Sequence, residues 1–121
     1  MTVNLWNMIT DAELDVMKAL WKTGPSKSSV IFNAMDESKS RTVGTKKTLL
    51  KRLVIKGAIT RKAIDLRNYI YSPAISEEEY ISAQQQWMKN RIFNGDVKKM
   101  LANFILEENI SRKDMESFLS E

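Results

Sequence analysis

Thr45, Lys47 and Thr48 sit at the head of the run GTKKTLLKRLVIKGAITRKAIDLRNYIYSP, residues 44–73. Their side chains suit hydrogen bonding to nucleic acid. Lysine donates to guanine acceptors, and threonine offers a hydroxyl to a base or phosphate and a methyl to thymine. Around them stand Arg41, Lys46, Lys51, Arg61, Lys62 and Arg67, cations suited to phosphates, which position a protein without specifying a sequence. Residues 39–67 hold ten Lys and Arg against one acid, Asp65. A field so concentrated attracts polyanions. The plainer alternative is a solvated helix face, its lysines serving solubility and its threonines merely exposed.

Other chemistry is largely closed. The 121 residues include no cysteine and no histidine, which excludes disulfides, thiolate or Ser-His catalysis and any metal site built on sulfur or imidazole. Only carboxylates remain for a metal, and the cluster Glu77, Glu78 and Glu79 is better explained by a helix dipole favouring acids in the first turn. No catalytic residue, metal or cofactor is expected. No apolar run reaches the roughly 18 to 20 residues of a membrane span, and Met1 to Thr10 lacks the features of an export signal. A cytoplasmic protein with no membrane partner is the expectation.

The elements that must hold the cations can be placed from periodicity. A first helix is expected in ITDAELDVMKALWKTGPS, with Thr10 and Glu13 as a capping box. Leu14, Met17, Leu20 and Trp21 form its apolar stripe, and Thr23-Gly24-Pro25 stops it. A short second helix is expected from near Ser26, with Val30, Ile31, Ala34 and Met35 turned inward. The third should run from about Val43 to Lys56, burying Leu49, Leu50 and Leu53, with Gly57 just past its end. Strand character follows at Ala58–Lys62 and Leu66–Ser72, separated only by Ala63, Ile64 and Asp65. Three helices and a hairpin in that order predict a winged helix-turn-helix, whose third helix enters the major groove of DNA.

From Ser76 the pattern is helical throughout, with Ser76 and Glu79 forming a second capping box. The charge also changes: residues 1–75 carry a net +7 and residues 76–121 a net −3. The stripe Val97, Met100, Leu101, Phe104 and Ile105 exceeds what so small a tail can bury by itself. An apolar patch of that kind usually marks an interface, and a symmetric homodimer is the simplest solution. The expected fold class is therefore mainly α with a small β-hairpin. It comprises a winged helix-turn-helix head (residues 1–75) and a C-terminal helical dimerisation arm (residues 76–121).

The segments ITDAELDVMKALW, TKKTLLKRLVIKGAI and YIYSP resemble the penicillinase repressor family of bacterial winged-helix repressors. That family includes methicillin-resistance regulators and copper-transport repressors, and the resemblance runs from about Ile9 to Leu119. It implies a homodimer that binds palindromic double-stranded operator DNA, with contacts at Thr45, Lys47 and Thr48. The sequence departs from the family at Gly44, where a bulkier or polar residue is common. Copper-responsive members carry a C-terminal cysteine cluster that has no counterpart here. Penicillin-responsive members are inactivated when a protease cuts an Asn-Phe bond in the arm. Asn103-Phe104 stands at the matching place, although Phe104 is equally accounted for as a dimer-packing residue. A winged-helix adaptor that binds protein instead of DNA is the main alternative function.

Overall fold

The computed structural model describes residues 8–120. The expectation about an export signal falls largely on residues 1–7, outside the described residues. The chain divides into two compact units, residues 1–81 and 82–121.

In the first unit, α1 (Asp11–Thr23) opens with the expected capping box. Thr10 Oγ1 accepts from the Glu13 amide at 3.1 Å, and Glu13 Oε1 accepts from the Thr10 amide at 2.9 Å. Helix α2 is Ser28–Asn33, and a single 3₁₀ turn, Glu37–Lys39, leads towards α3 (Val43–Ile55). The hairpin pairs β1 (Ile59–Ala63) antiparallel to β2 (Tyr69–Pro73), with Arg61 opposite Tyr71. Val16, Met17 and Leu20 of α1 meet Ile31 and Phe32 of α2, Leu49, Leu50 and Leu53 of α3, and Ile59 of β1 in one core. Gly57, at φ +80°, takes the left-handed conformation that turns α3 into β1.

The second helix differs from expectation. It begins at Ser28 because Ser26 is drawn into the sheet: its amide donates to Tyr71 O at 3.1 Å, and its carbonyl accepts from the Tyr71 amide at 2.9 Å. The later start turns Phe32 inward beside Ile31 and Met35 and leaves Val30 47% exposed. Leu14 and Trp21 lie only partly buried at the rim of the core. The hairpin loop is also longer, Ile64–Asn68, so the second strand starts at Tyr69, not Leu66.

Helix α4 (Glu77–Arg91) begins with the capping box of Ser76 and Glu79. Trp21 Nε1 donates to Ile75 O at 2.9 Å, and Tyr80 packs on the Trp21 ring with centroids 5.6 Å apart. The first turn of α4 thus belongs to the first unit by contact, and the division falls after Ile81, beyond the boundary at residue 75 expected from the sequence.

In the second unit, Asp96 caps α5 (Val97–Glu107) by accepting from the Lys99 amide, and Ser111 with Asp114 forms a capping box for α6 (Arg112–Leu119). Among the described residues, no helix is long and apolar enough to cross a membrane.

Candidate nucleic-acid interface

The entry to α3 is held from two sides. Thr42 is its N-cap, with Oγ1 accepting from the Thr45 amide at 3.1 Å. Asp15 of α1 pairs with Lys39 at 2.9 Å and with Arg41 at 2.6 Å, fixing the chain just before that cap. Burial pushes the Asp15 carboxyl up, but the hydrogen bonds from Lys39 and Arg41 outweigh it and hold the group below its ordinary value.

With Leu49, Leu50 and Leu53 buried, the helical period leaves Val43, Gly44, Thr45, Lys47, Thr48 and Lys51 exposed. The two threonines are not equivalent. Thr48 Oγ1 donates to Gly44 O at 3.1 Å, so its hydroxyl proton is engaged and it presents a methyl and an acceptor. Thr45 Oγ1 accepts from the Thr42 hydroxyl at 3.1 Å and keeps its own proton for an outside acceptor. Lys47 has no partner among the described residues, and its long stem places the charge at the same edge.

The cations expected to meet phosphates fall into two groups. Lys51, Arg61, Lys62 and Arg67 are exposed, and the Arg61 guanidinium lies 4.6 Å from the Tyr69 ring centroid, which steadies it on the hairpin. Arg41 and Lys46 are instead partly buried and engaged within the head: Arg41 with Asp15, and Lys46 donating to Phe32 O at 3.2 Å. Lys47, Lys51 and Arg61 rim an open cleft of about 340 Å³ whose apolar wall includes Phe32, Leu50, Val54 and Tyr71. Helix α3 and the wing thus bring Lys47, Lys51 and Arg61 around one cleft.

Two supporting contacts were not anticipated from the sequence. Glu13, the capping residue of α1, is fully buried and pairs with Lys56 at 2.5 Å, while its Oε2 has no hydrogen-bond partner among the described residues. Burial raises this carboxyl, but the Lys56 hydrogen bond and those with Thr10 outweigh burial and leave it lowered. Asp15 is the other, tying α1 to the approach of α3. A capping-box glutamate and an acid one helical face away carry no sequence signal for partners so distant in the chain.

In the second unit, Val97, Leu101 and Phe104 are exposed on the single chain, Leu101 by 51% and Phe104 by 44%. Ile105 is half-buried. Met100, expected to be covered by a partner, is already buried within the chain itself, because it lies on the inner side of α5. The Asn103–Phe104 bond lies inside α5, with Asn103 Nδ2 donating to Lys99 O at 2.9 Å. Among the described residues no three acidic side chains converge as a metal site would require.

Three packed helices, a hairpin tied back to the loop after α1, and an exposed basic edge on α3 define a winged helix-turn-helix protein. Residues 9–120 match the family model of the penicillinase repressor, and the chain belongs to that family. Its members are transcriptional repressors and not enzymes. The chain is 31% identical over 107 residues to the penicillinase repressor of Bacillus licheniformis, covering 88% of this chain and 83% of that protein. It is 26% identical over 108 residues to the methicillin resistance regulatory protein MecI of Staphylococcus aureus strain N315, covering 89% and 87% respectively. The solution structure of the DNA-binding domain of the repressor BlaI superimposes with a TM-score of 0.54 at 31% identity, covering 66% of this chain and 94% of that domain.

Proposed function

We propose that the protein is a homodimeric transcriptional repressor that grips a palindromic double-stranded operator with two winged heads. The observation that carries this reading is the exposed edge of α3, where Thr45, Lys47 and Thr48 stand clear of the core beside Lys51 and the wing cations. The names of its relatives, repressors and a DNA-binding domain, support it. Lys47 and the two threonines read bases. Lys51, Arg61, Lys62 and Arg67 grip phosphates, while Arg41 and Lys46 brace α3 and add to the field. Residues 1–75 do the reading, and residues 76–121 join two copies through Val97, Leu101, Phe104 and Ile105. An inducing signal releases the operator by acting on this arm, and a protease cutting at Asn103-Phe104 is one form such a signal could take. With DNA as its target, the protein works in the cytoplasm. An adaptor binding other proteins would gain nothing from a recognition helix flanked by so many unpaired cations.

Salt titration tests the reading. Each phosphate neutralised releases counterions, so log affinity for duplex DNA should fall with log salt by about 0.9 per contact. Roughly six to ten contacts are expected for two heads. Lys51→Ala and Arg67→Ala should each weaken binding to all sequences alike and make the slope shallower. Affinity that stays flat from about 50 to 200 mM salt would remove DNA from the account.

A further inference from the structure

We infer that the cleft between α3 and the hairpin binds a small aryl carboxylate, and that a filled cleft excludes DNA; the exclusion rests on the DNA-binding reading above. Its volume of about 340 Å³ lies near the lower end of the roughly 300 to 1,000 Å³ typical of small-molecule sites. That leaves room for a ring system with one head group. Helical spacing puts Lys47, Leu50, Lys51 and Val54 on one face of α3, and Phe32, Arg61 and Tyr71 complete the cleft. Its apolar floor is fixed in advance. Phe32 and Leu50 are anchored in the core, and the backbone of Tyr71 is hydrogen-bonded in both directions to Ser26. Little ordering therefore has to accompany binding.

Charge selects the ligand. Among the described residues, no acidic side chain lines the cleft, and Lys47, Lys51 and Arg61 have no salt-bridge partner. An anion is the matching charge. A bare phosphate satisfies these cations but leaves the apolar floor uncovered. An aryl carboxylate uses both features: its ring covers Phe32, Val54 and Tyr71, while its two oxygens accept from the lysines and from the planar fork of Arg61. The same three cations belong to the surface that meets DNA in the reading above. Ligand and duplex then compete for them, and each weakens the binding of the other by the same factor.

The test uses the full chain, 2-naphthoate as the probe and a duplex that the wild type selects from a random-sequence pool. In methyl-labelled protein without DNA, 2-naphthoate should shift the Leu50 and Val54 methyl resonances with a Kd of about 1 mM or tighter. Acetate at equal ionic strength should leave them in place, and the neutral 2-naphthylmethanol should bind at least roughly tenfold more weakly. Bound duplex should be displaced by 2-naphthoate and not by acetate. Val54→Phe fills the floor without changing charge. It should lose 2-naphthoate binding while keeping its thermal midpoint, its duplex affinity and its salt slope. Absent methyl shifts, shifts centred away from the cleft, or undiminished 2-naphthoate binding in folded Val54→Phe overturn the site. Probe and duplex bound together overturn the competition. A wild type that binds no duplex at low salt sinks the DNA reading, and the methyl shifts still decide whether the cleft takes an aryl carboxylate.

Discussion

Two adjacent side chains on α3, Lys47 and Thr48, differ from each other in hydrogen-bonding capacity. Lys47 can only donate, whereas Thr48, its proton already given to Gly44 O, can only accept or offer a methyl. Lys47→Ala and Thr48→Ala should therefore each narrow the gap between selected and random duplex by about 1 to 3 kcal/mol. Paired titrations at one salt concentration measure this, and an equal loss on both duplexes would make these residues backbone contacts. Elsewhere in the head, the Glu13–Lys56 pair contributes to the acid response, as does Asp15 with Lys39 and Arg41. Because the folded Glu13 carboxyl is lowered, the pair's stabilisation is present above the unfolded carboxylate value. It is lost as pH falls through the folded one. Lys56→Met leaves Glu13 charged, buried and unpaired, at a cost of about 3 kcal/mol at neutral pH. That cost should shrink on acidification, once Glu13 takes a proton and no longer needs a cation. Urea denaturation at pH 7 and again near the carboxylate range checks it; an equal cost at both would show that the pair is not the reason.

At the scale of elements, Gly44 stands in the first turn of α3, where a Cβ would meet only Thr42 Oγ1, at 3.8 Å. Space is therefore not what calls for glycine. Gly44→Ala should raise the stability of the head by up to about 1 kcal/mol through helix propensity while weakening DNA binding, because the added methyl holds the helix backbone away from phosphate. Thermal melting and titration of one variant separate the two effects, and tighter binding would refute the close approach. The elements themselves were largely legible. Capping boxes at Thr10 and Ser76 and the Leu49, Leu50 and Leu53 stripe rest on local periodicity, and they stand where the sequence put them. What escaped was set by distant partners. Ser26 reads as a helix start until Tyr71 claims its backbone, and only then does Phe32 replace Val30 in the core. The wing loop escaped for a local reason: Asp65 and Asn68 close an Asx-type turn whose signal was present but outweighed by the β-character of Leu66. In the candidate interface, the exposed edge of α3 was visible because exposure follows helical period. The internal engagement of Arg41 and Lys46 was not, since charge alone does not distinguish a brace from a phosphate contact.

For the whole molecule, the proposed dimer rests on the exposed side chains of α5. Truncating a packed Phe costs about 3 to 5 kcal/mol, and two-fold symmetry doubles the loss. Phe104→Ala should therefore weaken self-association by several powers of ten and operator binding with it, leaving the head folded on its own core. Sedimentation velocity beside operator titration checks this. A wild type that is monomeric at micromolar concentration, or a variant that dimerises normally, would overturn the arm's role. Cutting at Asn103-Phe104 should act in the same direction, but the bond lies within a helix, so α5 must open locally before a protease can reach it. The wing has the opposite character. The paired hydrogen bonds between Ser26 and Tyr71 sew the hairpin into the backbone of the head before any ligand arrives. No segment of that surface has to fold upon contact, so the heat-capacity change on binding reports buried area alone, free of the larger signature of coupled folding.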